Sequence, residues 1–228
     1  MLDGYLPLIL AGALVTVELA ILAVAVAMLL GLASASAALS SRQVARIASM
    51  TYTTVVRGIP DLVLMMLLFY SVQQWLNEFT EWAGAASIDI PPFAAGVLTI
   101  GFVYGAYFSE TFRGAFLAVP RGQIEAAQAI GLGRWRTFRR IVFPQVMRIA
   151  LPGVGNNFQV LLKSVGLVSL IGIQDMVAIG RQAGLATTRH FVFLAVVGAL
   201  FLLMTMVSQW ALQALERRYT VGIRRAEL

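Results

Sequence analysis

The chain contains no cysteine and a single histidine, His190. A disulfide framework is therefore excluded, and so is any metal site built from cysteines or clustered histidines. Charge is scarce. Asp, Glu, Lys and Arg make up 12% of the 228 residues while 59% are hydrophobic, against about 25% charged in a typical soluble domain. A surface so poor in charge does not stay dissolved, so the chain belongs in lipid. No Gly-x-x-x-x-Gly-Lys-Ser/Thr phosphate loop occurs; Lys163-Ser164 lies in an apolar stretch behind no such glycines. The absence of His-Glu-x-x-His and Gly-x-Ser-x-Gly argues against a membrane-embedded enzyme. The N-terminus has no basic region and no small-residue cleavage site, and Asp3 is acidic, so the first apolar run is expected to be a retained span.

What is present is a series of long apolar runs. About 20 apolar residues cross the hydrocarbon core as a helix. Five such spans are expected, at about 8–33, 48–75, 93–118, 149–173 and 191–215. The second is interrupted by Arg57-Gly58-Ile59-Pro60-Asp61. Each run is too long for a barrel strand and lacks strict alternation, so helices are the only choice. The chain is read as one membrane domain over residues 1–228, an all-α polytopic protein with a cytoplasmic loop at 119–148.

Arginine sets the orientation. The loop after the first span holds Arg42 and Arg46, and the loop after the third holds Arg121, Arg134, Arg136, Arg139, Arg140 and Arg148 against Glu125. The tail holds Arg217, Arg218, Arg224 and Arg225 against Glu216 and Glu227. The opposite side holds Arg181 and Arg189 against Asp3, Glu78, Glu81, Asp89 and Asp175. The N-terminus is expected outside, on the periplasmic face, and the tail in the cytoplasm. The net charge of +6 is thus a topological device and an attraction to anionic headgroups rather than a nucleic-acid footprint. With an odd number of spans one copy cannot hold two matching halves, so a transport path needs a second subunit. The same count argues against a stand-alone secondary carrier.

The 119–148 loop carries the best motif. Pro120 and Gly122 end the third span, Ile124 to Ile130 are helix formers, and Gly131-Leu132-Gly133 breaks the helix. From Arg134 to Val142 the pattern is amphipathic, with Trp135, Phe138 and Val142 on one face, and Pro144 is expected to end it. Two short helices meeting at a glycine elbow are predicted. Ala126 and Ala127 leave room for a partner surface, and Glu125 offers a carboxylate. An amphipathic helix lying on anionic lipid explains the arginine-rich half alone, but it does not require Glu-Ala-Ala before a spaced Gly and Pro.

Glu125-Ala126-Ala127, Gly131 and Ile141-Val142-Phe143-Pro144 resemble the EAA loop of the membrane subunits of bacterial ATP-binding cassette (ABC) importers, with Phe143 where that family usually has Leu. The likeness extends to the polar amino acid permeases. It is carried by Tyr52-Thr53-Thr54, Arg57-Gly58-Ile59-Pro60, Gly105-Ala106-Tyr107, Phe112-Arg113-Gly114 and Leu215-Glu216-Arg217-Arg218-Tyr219. Pro60-Asp61-Leu62-Val63, Gly155-Asn156-Asn157 and Arg218-Tyr219-Thr220-Val221-Gly222 are similar to the Q-type permeases of histidine, lysine, arginine and ornithine, with octopine and nopaline permeases nearby. The resemblance implies a type I importer permease fold. It implies a second, homologous permease subunit (a distinct chain being favoured), two ATP-binding subunits and a periplasmic amino acid binding protein. ATP and magnesium would sit on the partner subunits, with no cofactor in this chain. Glu125, Ala126, Ala127 and Gly131 would form the coupling helix, and the positions of Tyr104 and Asn157 would face the substrate cavity. A cationic amino acid or an opine is the implied substrate, in the inner membrane.

Ionisable residues inside a span are functional hypotheses. Glu110 and Arg113 are three apart and read as a structural pair. Glu18 is expected to bond to a neighbouring span. Asp61 follows a weakened helix; it either pairs with Arg57 four residues back or faces the path and attracts a cationic side chain. Asn157 either lines the cavity or makes an interhelical hydrogen bond. Lys163 would repel a cation unless it binds the amino acid carboxylate or pairs with an acid of the partner chain.

Overall fold

In the computed structural model, residues 4–84, 86–87 and 89–219 are described. The motif end Thr220-Val221-Gly222, the tail residues Arg224, Arg225 and Glu227, and Asp3 lie outside them. The described residues are helical almost throughout. The elements are α1 (Leu6–Ala38), α2 (Gln43–Gly58), α3 (Asp61–Trp82), α4 (Pro92–Leu117), α5 (Arg121–Ala129), α6 (Arg134–Thr137), α7 (Phe143–Val165), α8 (Met176–Thr187) and α9 (His190–Tyr219). A π turn, Phe138–Val142, joins α6 to α7, and a 3-10 turn, Gly166–Ile171, follows α7. Leu6–Ala38, Pro92–Leu117, Arg134–Ile171 and His190–Tyr219 are long and apolar enough to cross a membrane, and α2 with α3 makes a fifth span if the bent pair is taken as one.

The centre is the packing of α1 on α4. The buried face of α1 is built from small residues four apart: Gly12, Thr16 and Ala20, then Ala23, Ala27, Gly31 and Ala35. Lipid tails are as apolar as leucine, so membrane helices associate by close backbone approach rather than by escape from water. A Cβ on Gly31 would lie 2.6 Å from the Phe108 Cβ, and one on Gly101 of α4 would lie 2.5 Å from a Val26 methyl. Hydroxyls tie α2 to this pair. The Ser49 hydroxyl donates to the Ser34 carbonyl at 2.7 Å, and that of Ser109 to Ser34 Oγ at 2.9 Å. The outward faces stay apolar: Leu29, Leu202, Met206 and Trp210 are exposed, as expected of surface that meets lipid or another subunit.

Five expectations change. The second span, 48–75, is not one helix: α2 and α3 meet at 112°. Ile59 is extended at φ −104°, ψ 139°, because the residue before a proline is pushed out of the helical region. Pro60 then caps α3, leaving Asp61 in its first turn, where a negative charge complements the helix dipole. The helix that carries the fourth span starts ahead of 149; α7 begins at Phe143. Pro144 therefore ends nothing. It occupies the first turn of α7, where no amide is needed, after a π turn in which the Phe143 N–H reaches back to the Phe138 carbonyl. The stretch after the fourth span contains the additional helix α8, capped by Asp175, whose Oδ1 accepts from the Ala178 N–H at 2.9 Å. Glu18 is exposed on α1 and, among the described residues, bonds to no neighbouring span.

Candidate functional site

Asp61 sits at the start of α3, aimed at α4. Its Oδ2 accepts the Tyr104 hydroxyl at 3.0 Å and its Oδ1 accepts the Tyr107 hydroxyl at 3.1 Å. Tyr104 and Tyr107 are one helical turn apart, so both hydroxyls leave α4 on the same face, with ring centroids 5.4 Å apart. Tyr104 also shares a hydrogen bond with Ser164 of α7. Its one proton is committed to Asp61, so Ser164 donates to it. A carboxylate, two phenols and a hydroxyl thus join three helices. Asp61 is only partly buried, while Tyr104 is 1% exposed, so the carboxylate lies at the open edge of the cluster.

The ion pair of Asp61 with Arg57 does not form. The four-residue rule needs one continuous helix, and Pro60 divides them. Arg57 turns instead to the Tyr107 ring, 5.5 Å from its centroid. Glu110 and Arg113 do pair, at 2.6 Å. The Asn157 Nδ2 donates to Thr111 Oγ1 of α4 at 3.0 Å, an interhelical bond of the bland kind, and its side chain stays partly exposed. Lys163, the only lysine in the chain, is exposed beside Ser164 and has no ion pair among the described residues. Of the four expected path residues, the structure brings Asp61 and Tyr104 into contact; Asn157 and Lys163 stand apart from that contact on α7. Tyr107 and Ser164 complete the cluster. The three-residue spacing of Tyr104 and Tyr107 was the signal available for the first.

The loop site is built by its turn. After α5, Gly131 takes φ +79°. That conformation lets the Gly131 N–H donate to the Gln128 carbonyl at 2.9 Å and the Leu132 N–H to the Ala127 carbonyl at 3.0 Å, which is a Schellman cap. The Thr137 hydroxyl reaches the Leu132 and Gly133 carbonyls, bracing the elbow to α6. Glu125 and Ala126 are exposed on α5, whereas Ala127 is 2% exposed and packs within the fold. The room left for a partner is thus at Ala126. Ile130 and Trp135 add exposed apolar surface at 77% and 70%; Trp135 stacks on Phe138, which meets the Phe143 ring at a tilt.

A family of inner-membrane components of binding-protein-dependent transport systems matches residues 27–221. The chain is 54% identical over 228 residues, the whole of both chains, to the permease protein HisQ of the histidine/lysine/arginine/ornithine transport system of Escherichia coli. It is 36% identical over 211 residues to the octopine permease protein OccQ of Rhizobium meliloti, covering 92% of this chain and 89% of that one. Among solved structures, an amino acid ABC transporter crystallised with histidines superposes with a TM-score of 0.78 at 32% identity, covering 94% and 95% of the two chains.

Proposed function

This chain belongs to the inner-membrane components of binding-protein-dependent transport systems, and on that premise we propose how it works as the permease subunit of a polar amino acid ABC importer. It is a transport component of the inner membrane that acts with other subunits of the transporter. The finer reading is that its cargo is cationic. The supporting observation is the Asp61 cluster: a carboxylate held by two tyrosines and, among the described residues, by no arginine. Two phenol protons fix the carboxylate without neutralising its charge. Lysine, arginine, ornithine or histidine side chains, or a basic opine, meet at its exposed edge a negative group already oriented. Lys163, exposed on α7 and without an ion pair among the described residues, receives the α-carboxylate of the same amino acid in this reading, and Asn157, partly exposed lower on the same helix, lines the path. A second, homologous permease chain closes the cavity from the opposite side.

The arginine asymmetry supports a cytoplasmic α5–α6 elbow and a periplasmic N-terminus. There Glu125, Ala126 and Gly131 form the surface gripped by two ATP-binding subunits, which hold ATP and magnesium and perform the hydrolysis. A periplasmic binding protein delivers the substrate to the other face. Asp61→Asn keeps the size of the side chain and removes its charge, so uptake of radiolabelled lysine by the reconstituted complex falls at least about tenfold further than uptake of a neutral amino acid, the worth of one charged hydrogen bond. Equal losses for both substrates exclude a selectivity role for Asp61.

A further inference from the structure

A cavity of about 640 Å³ opens between the end of α1, α2 and α4, lined by Arg46, Thr54, Arg57, Tyr107, Glu110 and Arg113 among others. We propose that it binds an anion bearing a phosphate group. The charge inventory carries the argument. Three guanidinium groups line the cavity against one carboxylate, Glu110, and that carboxylate is already committed to Arg113, which meets it through Nη2 at 2.6 Å and Nε at 3.2 Å. Arg46 and Arg57 have no carboxylate partner among the described residues. Arg57 is not loose: its guanidinium lies over the Tyr107 ring, 5.5 Å from the centroid. A planar fork steadied on an aromatic face is preorganised for bidentate bonds to phosphate oxygens.

The sign of this cavity is opposite to that of the Asp61 cluster next to it, so a cationic side chain is not its ligand. Its place in the fold fits a phosphate. Arg46 stands in the first turn of α2, just after the turn from α1, and Glu110 and Arg113 stand near the end of α4 that leads into the α5 elbow. This end of the bundle carries the arginine excess. A basic pocket between helices at a membrane face receives phosphates from two sources, the headgroup of an anionic lipid or free phosphate. The site itself does not depend on which end of the bundle faces the cytoplasm.

The test uses the complete transporter in nanodiscs of phosphatidylcholine alone, of phosphatidylcholine with added inorganic phosphate, and of phosphatidylcholine with phosphatidylglycerol. Melting temperature is read in each, and native mass spectrometry counts bound phosphatidylglycerol. The expected result is a rise in melting temperature in an anionic arm, and binding about tenfold weaker in Arg46→Gln, as for the loss of one charged hydrogen bond. Arg46→Lys, which keeps the charge without the fork, is expected to fall between. A rise with phosphatidylglycerol alone names the lipid as the source; an equal rise with inorganic phosphate names the free anion. Melting unchanged in both anionic arms overturns the proposal, as does a rise of the same size in wild type and in Arg46→Gln with Thr54→Val. Arg46 and Thr54 are exposed, and the plain phosphatidylcholine arm reports whether either variant fails to fold.

Discussion

Gly131 allows strain to be separated from crowding. A Cβ built there has nothing within 4 Å, yet φ is +79°. Gly133, two residues on, has equal room and an ordinary φ of −65°. Any L-residue at 131 carries about 1–2 kcal/mol of left-handed strain. Asparagine tolerates that region best and valine, β-branched, least. The strain competes with two capping hydrogen bonds, each worth about 1 kcal/mol. In Gly131→Asn the cap holds; in Gly131→Val strain and cap are about balanced, and the end of α5 is open much of the time. The assay is reconstitution of the complex in proteoliposomes, with amino acid transported and ATP hydrolysed measured together. Transport per ATP is expected to fall from Gly131→Asn to Gly131→Ala to Gly131→Val, while Gly133→Ala behaves as wild type and every variant still inserts. If Gly133→Ala uncouples as strongly as Gly131→Val, or if Gly131→Val stays fully coupled, the cap has no part in transmission.

Two further perturbations test the frame around the site. Gly31→Ala places a methyl 2.6 Å from the Phe108 Cβ and 3.1 Å from its carbonyl carbon, where backbone cannot yield, so a loss of about 1–3 kcal/mol is expected as a lower melting temperature. Gly114→Ala on α4 meets nothing within 4 Å and should be neutral or stabilising; identical behaviour of the two refutes the tight α1–α4 contact. Burial pushes the Asp175 carboxyl up to about 6 against the pull of the Ala178 amide, and its Oδ2 has no hydrogen-bond partner among the described residues. Between the ordinary carboxylate value and about 6 the folded chain holds a proton that the unfolded chain has lost, so stability falls as pH rises through that window and levels off above it. Asp175→Asn should flatten this profile of melting against pH, and a profile unchanged in the variant assigns the dependence to other groups.

The sequence exposes what depends on composition and on single special residues. Glycine after a short run of helix formers announced the Gly131 elbow, and spacing announced the Glu110–Arg113 pair. Direction is what it conceals. Gly58-Ile59-Pro60 read as an interruption within one span, because hydropathy records length and not angle; the 112° turn also removed the Arg57–Asp61 pair, one of the two readings open for Asp61. Adjacent residues on a helix point about 100° apart, so the likeness of Ala126 and Ala127 concealed that one faces outward and the other packs inward. α8 escaped notice because its 12 residues are too few to span a membrane and Arg181-Gln182 interrupt its apolar run. The partners of Asp61 lie 43 and 46 residues away, and only the fold brings them together.

The account rests on the α5 elbow being held by ATP-hydrolysing partners, and the absence of cysteine makes this directly measurable. A complex carrying Glu125→Cys as the sole thiol in this chain, treated with a short bifunctional crosslinker, should bridge to an ATP-binding subunit with a yield that changes when nucleotide is added. The same reagent on Trp82→Cys, exposed at the far end of α3, should give no such bridge. A Glu125→Cys complex that transports normally and never links to an ATP-binding subunit contradicts the account.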